Sequence, residues 1–133
     1  MSWPRGSLNE GFPRHIVNIP VAAATVSGYV AVMPADSDFE LVEAYANYDV
    51  TSTSGVAKIY NCKAADAPAG GVAMLTSAGI DLAGTARTKV SGLLSTTAGA
   101  VRIPAGNSVG LGISGTMTNL VGGVITLVFK PVN

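Results

Sequence analysis

The chain has 133 residues, no net formal charge and charged side chains at only 12% of its positions, about half the usual share in soluble domains. A length of this order suits one domain with a hydrophobic core of its own. The neutral balance, with no basic cluster interleaved with aromatics, excludes an ordinary nucleic-acid-binding surface. A surface so poor in charge invites association, so part of it is expected to be covered by copies of the chain or by another protein.

Residues 1–14, MSWPRGSLNEGFPR, scatter Trp3, Leu8 and Phe12 among Pro4, Gly6, Gly11 and Pro13 without a period. This predicts an extended arm. A free tail rarely carries a chain's only tryptophan, so the arm is expected to pack on a neighbour or partner; a flexible terminus with incidental hydrophobes is the alternative. The run from Ile16 to Met33 has no charge, but Asn18, Pro20, Ser27 and Gly28 interrupt it. Its small and β-branched residues suit strands better than a membrane span or a signal peptide.

From His15 onward short apolar runs recur between turn signals: HIVNIP, VAAATV, GYVAVMP, FELVEAYANY, GVAKIYNCK, GGVAML, AVRIP, SVGLGIS and GGVITLVFK. Many short strands with close turns predict an all-β, single-domain antiparallel β-sandwich or barrel. In residues 37–48, SDFELVEAYANY, Ser37 and Glu40 also fit a helix capping box. The strand reading places Phe39, Leu41 and Tyr45 on one face, with Glu43 awkwardly among them. Residues 74–97 have apolar positions without a sustained period, and predict strand fragments in a long excursion with room for a short helix. In residues 124–129, VITLVF, both alternating faces are apolar except for Thr126, which predicts a central strand covered on both sides.

The charges are split along the chain. Residues 1–49 hold two basic and six acidic side chains, and residues 50–133 hold six basic and two acidic ones. Within one domain these interleave across neighbouring strands; a head-to-tail contact between copies is the sharper alternative.

The string GLGISG, residues 110–115, spells the dinucleotide-binding G-x-G-x-x-G. That motif needs a helix starting at its last glycine and an acid about twenty residues on. Here Thr116 to Gly123 is a poor helix, and the last acid of the chain is Asp81. As a strand, the segment turns Val109, Leu111 and Ile113 to a core and leaves Gly110 and Gly112 as a bare strip. Missing side chains let another backbone or an aromatic ring approach, either internally or from a neighbouring subunit.

Other chemistry is thin. Asp36, Asp38 and Glu40 present three carboxylates, but Leu41 and Asn47 stand where a calcium-loop glycine and glutamate belong, so a solvated acidic turn is expected. His15 is the only histidine and no serine sits in an elbow motif, so no catalytic triad is expected. Cys62 is the only cysteine, which leaves no internal disulfide and reads as a buried, inert thiol. Tyr29, Tyr45, Tyr48 and Tyr60 with Trp3 offer a sugar-stacking platform if they cluster, and otherwise serve packing. No catalytic residue, metal or cofactor is expected.

The order of landmarks from residue 28 onward, GYVAVMPADSDFELVEAYANYD, SGVAKIYN, a glycine-containing excursion, VRIPAGNSVGLGISG and GGVITLVFKPV, resembles the small decoration, or cement, proteins on the heads of tailed double-stranded DNA bacteriophages. The resemblance implies a jelly roll, a homotrimer, and a place on the outer capsid surface of the virion, bound to the major capsid protein, with no role for nucleic acid or membrane. Residues 1–20 lie outside the matched part and form the arm, and residues 21–133 form the sandwich domain. Trp3, Phe12 and Arg14 of the arm, with Gly110 and Gly112, are the candidate partner or subunit contacts. A carbohydrate-binding β-sandwich of a fibre or cell surface is the alternative.

Overall fold

The computed structural model describes residues 14–132. Ten strands follow one another: β1 (His15–Val21), β2 (Gly28–Val32), β3 (Asp38–Asn47), β4 (Val56–Cys62), β5 (Val72–Ala73), β6 (Ile80–Asp81), β7 (Val90–Ser91), β8 (Arg102–Ile103), β9 (Ser108–Ser114) and β10 (Gly123–Val132). Two antiparallel sheets face each other as a β-sandwich. Sheet A has the order β1-β10-β3-β7 with β8 also on β3, and sheet B the order β2-β9-β4-β5 with β6 also on β4. The pairing is nested: β1 with β10, β2 with β9, β3 with β7 and β8, and β4 with β5 and β6. Because β1 is a strand of sheet A, the boundary drawn at residue 20 falls inside it, and residues 15–21 belong to the sandwich.

Alternation along each long strand builds the core. Val17, Ile19 and Val21 of β1, Ile125, Leu127 and Phe129 of β10, and Ala57 and Ile59 of β4 are buried between the sheets. Each buried Leu, Ile or Phe stabilises the fold by about 1.5–3 kcal/mol. From β9, Val109 and Leu111 join them as expected, while Ile113 is only partly buried against the cluster.

Residues 37–48 are strand, without the helix that the capping box offered. The difficulty with Glu43 is resolved by a β-bulge. Val128 pairs with Glu43 and Phe129 with Leu41, so Val42 is an extra residue in β3. Phe39 and Leu41 before the bulge and Ala44 and Ala46 after it all face the core, while Glu43 and Tyr45 turn to the outer face. A bulge changes the parity of a strand, and alternation read from sequence cannot see that change.

The excursion 74–97 contains β6, β7 and a single bridge between Leu75 and Leu94. No helix occurs among the described residues. The uncharged run from Ile16 to Met33 is β1, a turn and β2.

The expectation for β10 needs correction in one respect. It is central, paired with β1 on one side and β3 on the other. Only one face is covered: Val124 is 40% exposed, and Thr126 and Val128 are partly exposed. Among the described residues nothing packs over that second face.

Deleting Val42 removes the phase change and forces either Phe39 and Leu41 or Ala44 and Ala46 out of the core. The deletion variant should lose its cooperative thermal transition. Val42→Ala keeps the residue count and should cost no more than about 1 kcal/mol in chemical denaturation.

Candidate functional site

The glycine strip in β9 is a site of internal packing. Gly110 pairs with Tyr29 of β2 and Tyr60 of β4, and Gly112 pairs with Lys58. Both glycines are buried. The connection between β4 and β5 folds back over sheet B. A Cβ on Gly110 would collide with the Pro68 carbonyl oxygen and lie 2.8 Å from Cys62 Sγ, and one on Gly112 would lie 2.8 Å from the Tyr60 ring and 3.3 Å from Ala69. The bare strip thus admits a backbone at one position and an aromatic ring at the other. Neither glycine is on the chain's surface, and the contact expected there is made by the chain itself.

The same loop explains Cys62 and Tyr29. Cys62 is buried, and its thiol donates toward the Ala67 and Pro68 carbonyls, each at 3.5 Å. Burial, with the Asp66 carboxylate nearby, pushes its pKa up, the condition of an unreactive thiol. The Asp66 side chain accepts the Lys63 N–H at 3.0 Å, and the Tyr29 hydroxyl donates to the Asp66 carbonyl.

The four tyrosines do not share one face. Tyr29 and Tyr60 stand on the outer side of sheet B, on either side of the strip that the Pro68 loop covers. Tyr48 is in the core, where its hydroxyl donates to the Asp81 carbonyl at 3.0 Å and accepts the Gly84 N–H at 2.8 Å. Tyr45 is on the outer side of sheet A, with the Lys89 ammonium 4.6 Å from its ring centre.

The split charges meet on sheet A. Lys89 pairs with Glu43, Arg102 with Asp38 at 3.1 Å and Lys130 with Glu40 at 3.8 Å. Each pair joins an acid from the first 49 residues to a base from the rest, which is the interleaving within one domain. The Ala105 N–H donates to Asp38 at 2.9 Å. This bond and the Arg102 guanidinium lower the Asp38 pKa. A carboxylate held below its unfolded value contributes stability above that value and loses it as pH falls through the folded one. Asp38 and Glu40 are thus engaged with bases, and among the described residues no three metal-ligating side chains are grouped to hold an ion.

His15 opens on a cleft of about 260 Å³ lined by Arg14, Asp36, Ser37, Phe39 and Pro131. Its ring leans on Phe39, centres 5.5 Å apart, and on Phe129 at 6.3 Å. The Ser37 hydroxyl donates to the Asp38 carbonyl at 3.1 Å. A serine turned to the backbone and a histidine packed on two phenylalanines do not form a nucleophile and base in contact. Arg14 is exposed at the rim of this cleft; Trp3 and Phe12 lie outside the described residues.

The surface that sequence reasoning missed is the outer face of sheet A. Across β1, β10 and β3 it presents three rows in register: Ile16, Val128 and Glu43; Asn18, Thr126 and Tyr45; Pro20, Val124 and Asn47. Glu43, paired with Lys89, is the single ionised group of these rows. Ile16 is 55% exposed. The signal was present in the sequence as the apolar outer positions of β10. Among the described residues no helix is long and apolar enough to cross a membrane.

Comparison of the chain with protein-family models, with curated proteins and with solved structures finds no match.

Gly110→Ala should cost about 1–3 kcal/mol, because the Pro68 loop must move to admit the methyl group. Gly28→Ala, which meets no atom within 4 Å, should be neutral to slightly stabilising. Equal denaturation midpoints for the two variants would contradict this assignment of the strip.

Proposed function

We propose that this chain is a non-enzymatic structural subunit that works by association: a decoration protein of a tailed-phage virion, trimeric and bound to the major capsid protein on the outer capsid surface. The observation that carries the reading is the uncovered outer face of β10. A central strand apolar on both faces is built for cover on both sides, and the described residues supply cover on one. The second side is nearly uncharged and bordered by ion pairs that are already satisfied. Such a face suits contact between copies of the chain.

The nested strand pairing supports the jelly-roll form of the sandwich, since it is the connectivity that two Greek keys produce. It agrees with the architecture implied by the resemblance to capsid decoration proteins. Among the described residues β1 pairs only with β10 within sheet A, and its other edge suits addition of a strand from a partner. The arm that precedes β1 supplies anchors for the shell in Trp3, Phe12 and Arg14. A trimer that grips several capsid subunits gains avidity from many weak contacts without one strong contact. Tyr45 and Tyr48 stand apart from Tyr29 and Tyr60, which weakens the support for a sugar-stacking platform built from all four.

The test is the mass of the purified protein in solution, followed by mixing with emptied heads of tailed phages and sedimentation. A species of three chain masses that co-sediments with one type of head is the expected result. A monomer that leaves every head bare would overturn the proposal.

A further inference from the structure

We infer that the chain also binds a neutral, polyhydroxylated ligand, with the chemistry of a hexopyranose or short uncharged glycan, in an open cleft beside β5. The cleft holds about 410 Å³ and is walled by Thr76, Ser77, Ser95, Thr96 and Thr97, with Leu75 among its apolar residues. A volume of this size lies in the range of small-ligand sites. It uses none of the tyrosines and lies apart from the outer face of sheet A, so it stands independently of the association reading.

Backbone bonds pin the two walls together. The Met74 N–H donates to the Ile59 carbonyl at 2.9 Å, the Ser95 N–H to the Met74 carbonyl at 3.0 Å and the Thr76 N–H to the Leu93 carbonyl at 2.9 Å. Leu75 and Leu94 form a bridge between the same segments. The hydroxyls therefore stand on a frame tied to the central strand β4 and not on a free loop.

Thr76 carries the argument. Its hydroxyl oxygen is buried and has no hydrogen-bond partner among the described residues, an arrangement that folded proteins rarely tolerate without a reason. Ligand binding requires that Thr76, a residue of the cleft wall, adopt another staggered rotamer that presents this hydroxyl to the ligand. Ser95 Oγ is fixed by the Thr97 N–H at 3.2 Å, while Ser77, Thr96 and Thr97 are exposed at the rim.

The lining selects the ligand class. No charged and no aromatic side chain lines the cleft, so it offers nothing to neutralise a phosphate, a carboxylate or a cation. A hydroxyl both donates and accepts, and a row of them matches the hydroxyls of a sugar in either sense. Val72 and Ala73, both exposed, supply an apolar surface for the C–H face of a ring. β5 has only two residues, too short an edge to template a peptide strand.

The experiment is a titration of the isotope-labelled full chain by NMR with maltotriose and with chitotriose, and with inorganic phosphate as the charged comparison. Saturable shifts confined to the amides of residues 72–77 and 95–100 are expected with at least one saccharide, and none with phosphate. Thr76→Val should weaken that binding by about tenfold without lowering the melting temperature, since it removes an unpartnered hydroxyl. The inference is overturned if neither saccharide gives saturable shifts, if the shifts fall on Tyr29, Tyr45 or Tyr60 instead, or if Thr76→Val binds as the parent does.

Discussion

The insertion of β10 between β1 and β3 is the constraint on which the structure depends. Its inner side chains, Ile125, Leu127 and Phe129, are wholly buried and meet the core from the middle of sheet A. Without β10 the strand β1 has no partner among the described residues, because it pairs with no other strand of its sheet there. β9 plays the same part in sheet B, between β2 and β4. Both sheets therefore wait for residues 108–132, and the domain closes only through pairings that span most of the chain. Non-local pairing of this kind slows folding and favours an all-or-none sandwich.

The two outer faces are finished differently. Sheet B carries its own cover, because Gly110 and Gly112 leave room for the Pro68 backbone, the Ala69 side chain and the Tyr60 ring. Sheet A has no such loop. Its outer side presents Ile16, Val124, Thr126 and Val128 beside a border of paired ions. One outer face is thus covered by the chain's own loop, and the other is apolar and uncovered among the described residues, which is the basis of the proposed association. The carboxylates of β3 are paired with Lys89, Arg102 and Lys130.

Much of this fold was legible in the sequence, for physical reasons. Turn residues between short apolar runs gave the strands, and the period of two in SVGLGIS gave the buried side of β9. The absence of a helix and an acid after GLGISG removed the nucleotide reading. The opposed charges of the two halves became three ion pairs within one domain. Other features were hidden. The bulge at Val42 changes the phase of β3, and no side chain announces it. The partner of the glycine strip is a loop some forty residues upstream, whose sequence, AADAPAGG, resembles an ordinary surface connection. The hydroxyl-lined cleft brings together segments about twenty residues apart in an excursion without a period, so its residues looked like linker. The apolar outer positions of β10 were visible, but composition could not say whether the same chain or another one covers them.

The central claim is that the outer face of sheet A is a surface of association, and a charge placed on that face tests it most directly. Val124 lies on β10 between Pro20 and Asn47 and is 40% exposed, so Val124→Lys leaves room for the longer side chain to reach water. Ala65→Lys puts the same charge on an exposed position of the connection that covers sheet B. Light scattering on the three proteins at equal concentration should show the parent and Ala65→Lys as the same oligomer and Val124→Lys as a folded monomer with a nearly unchanged melting temperature. A Val124→Lys protein that keeps the parent mass, or an Ala65→Lys protein that loses it, would contradict the account.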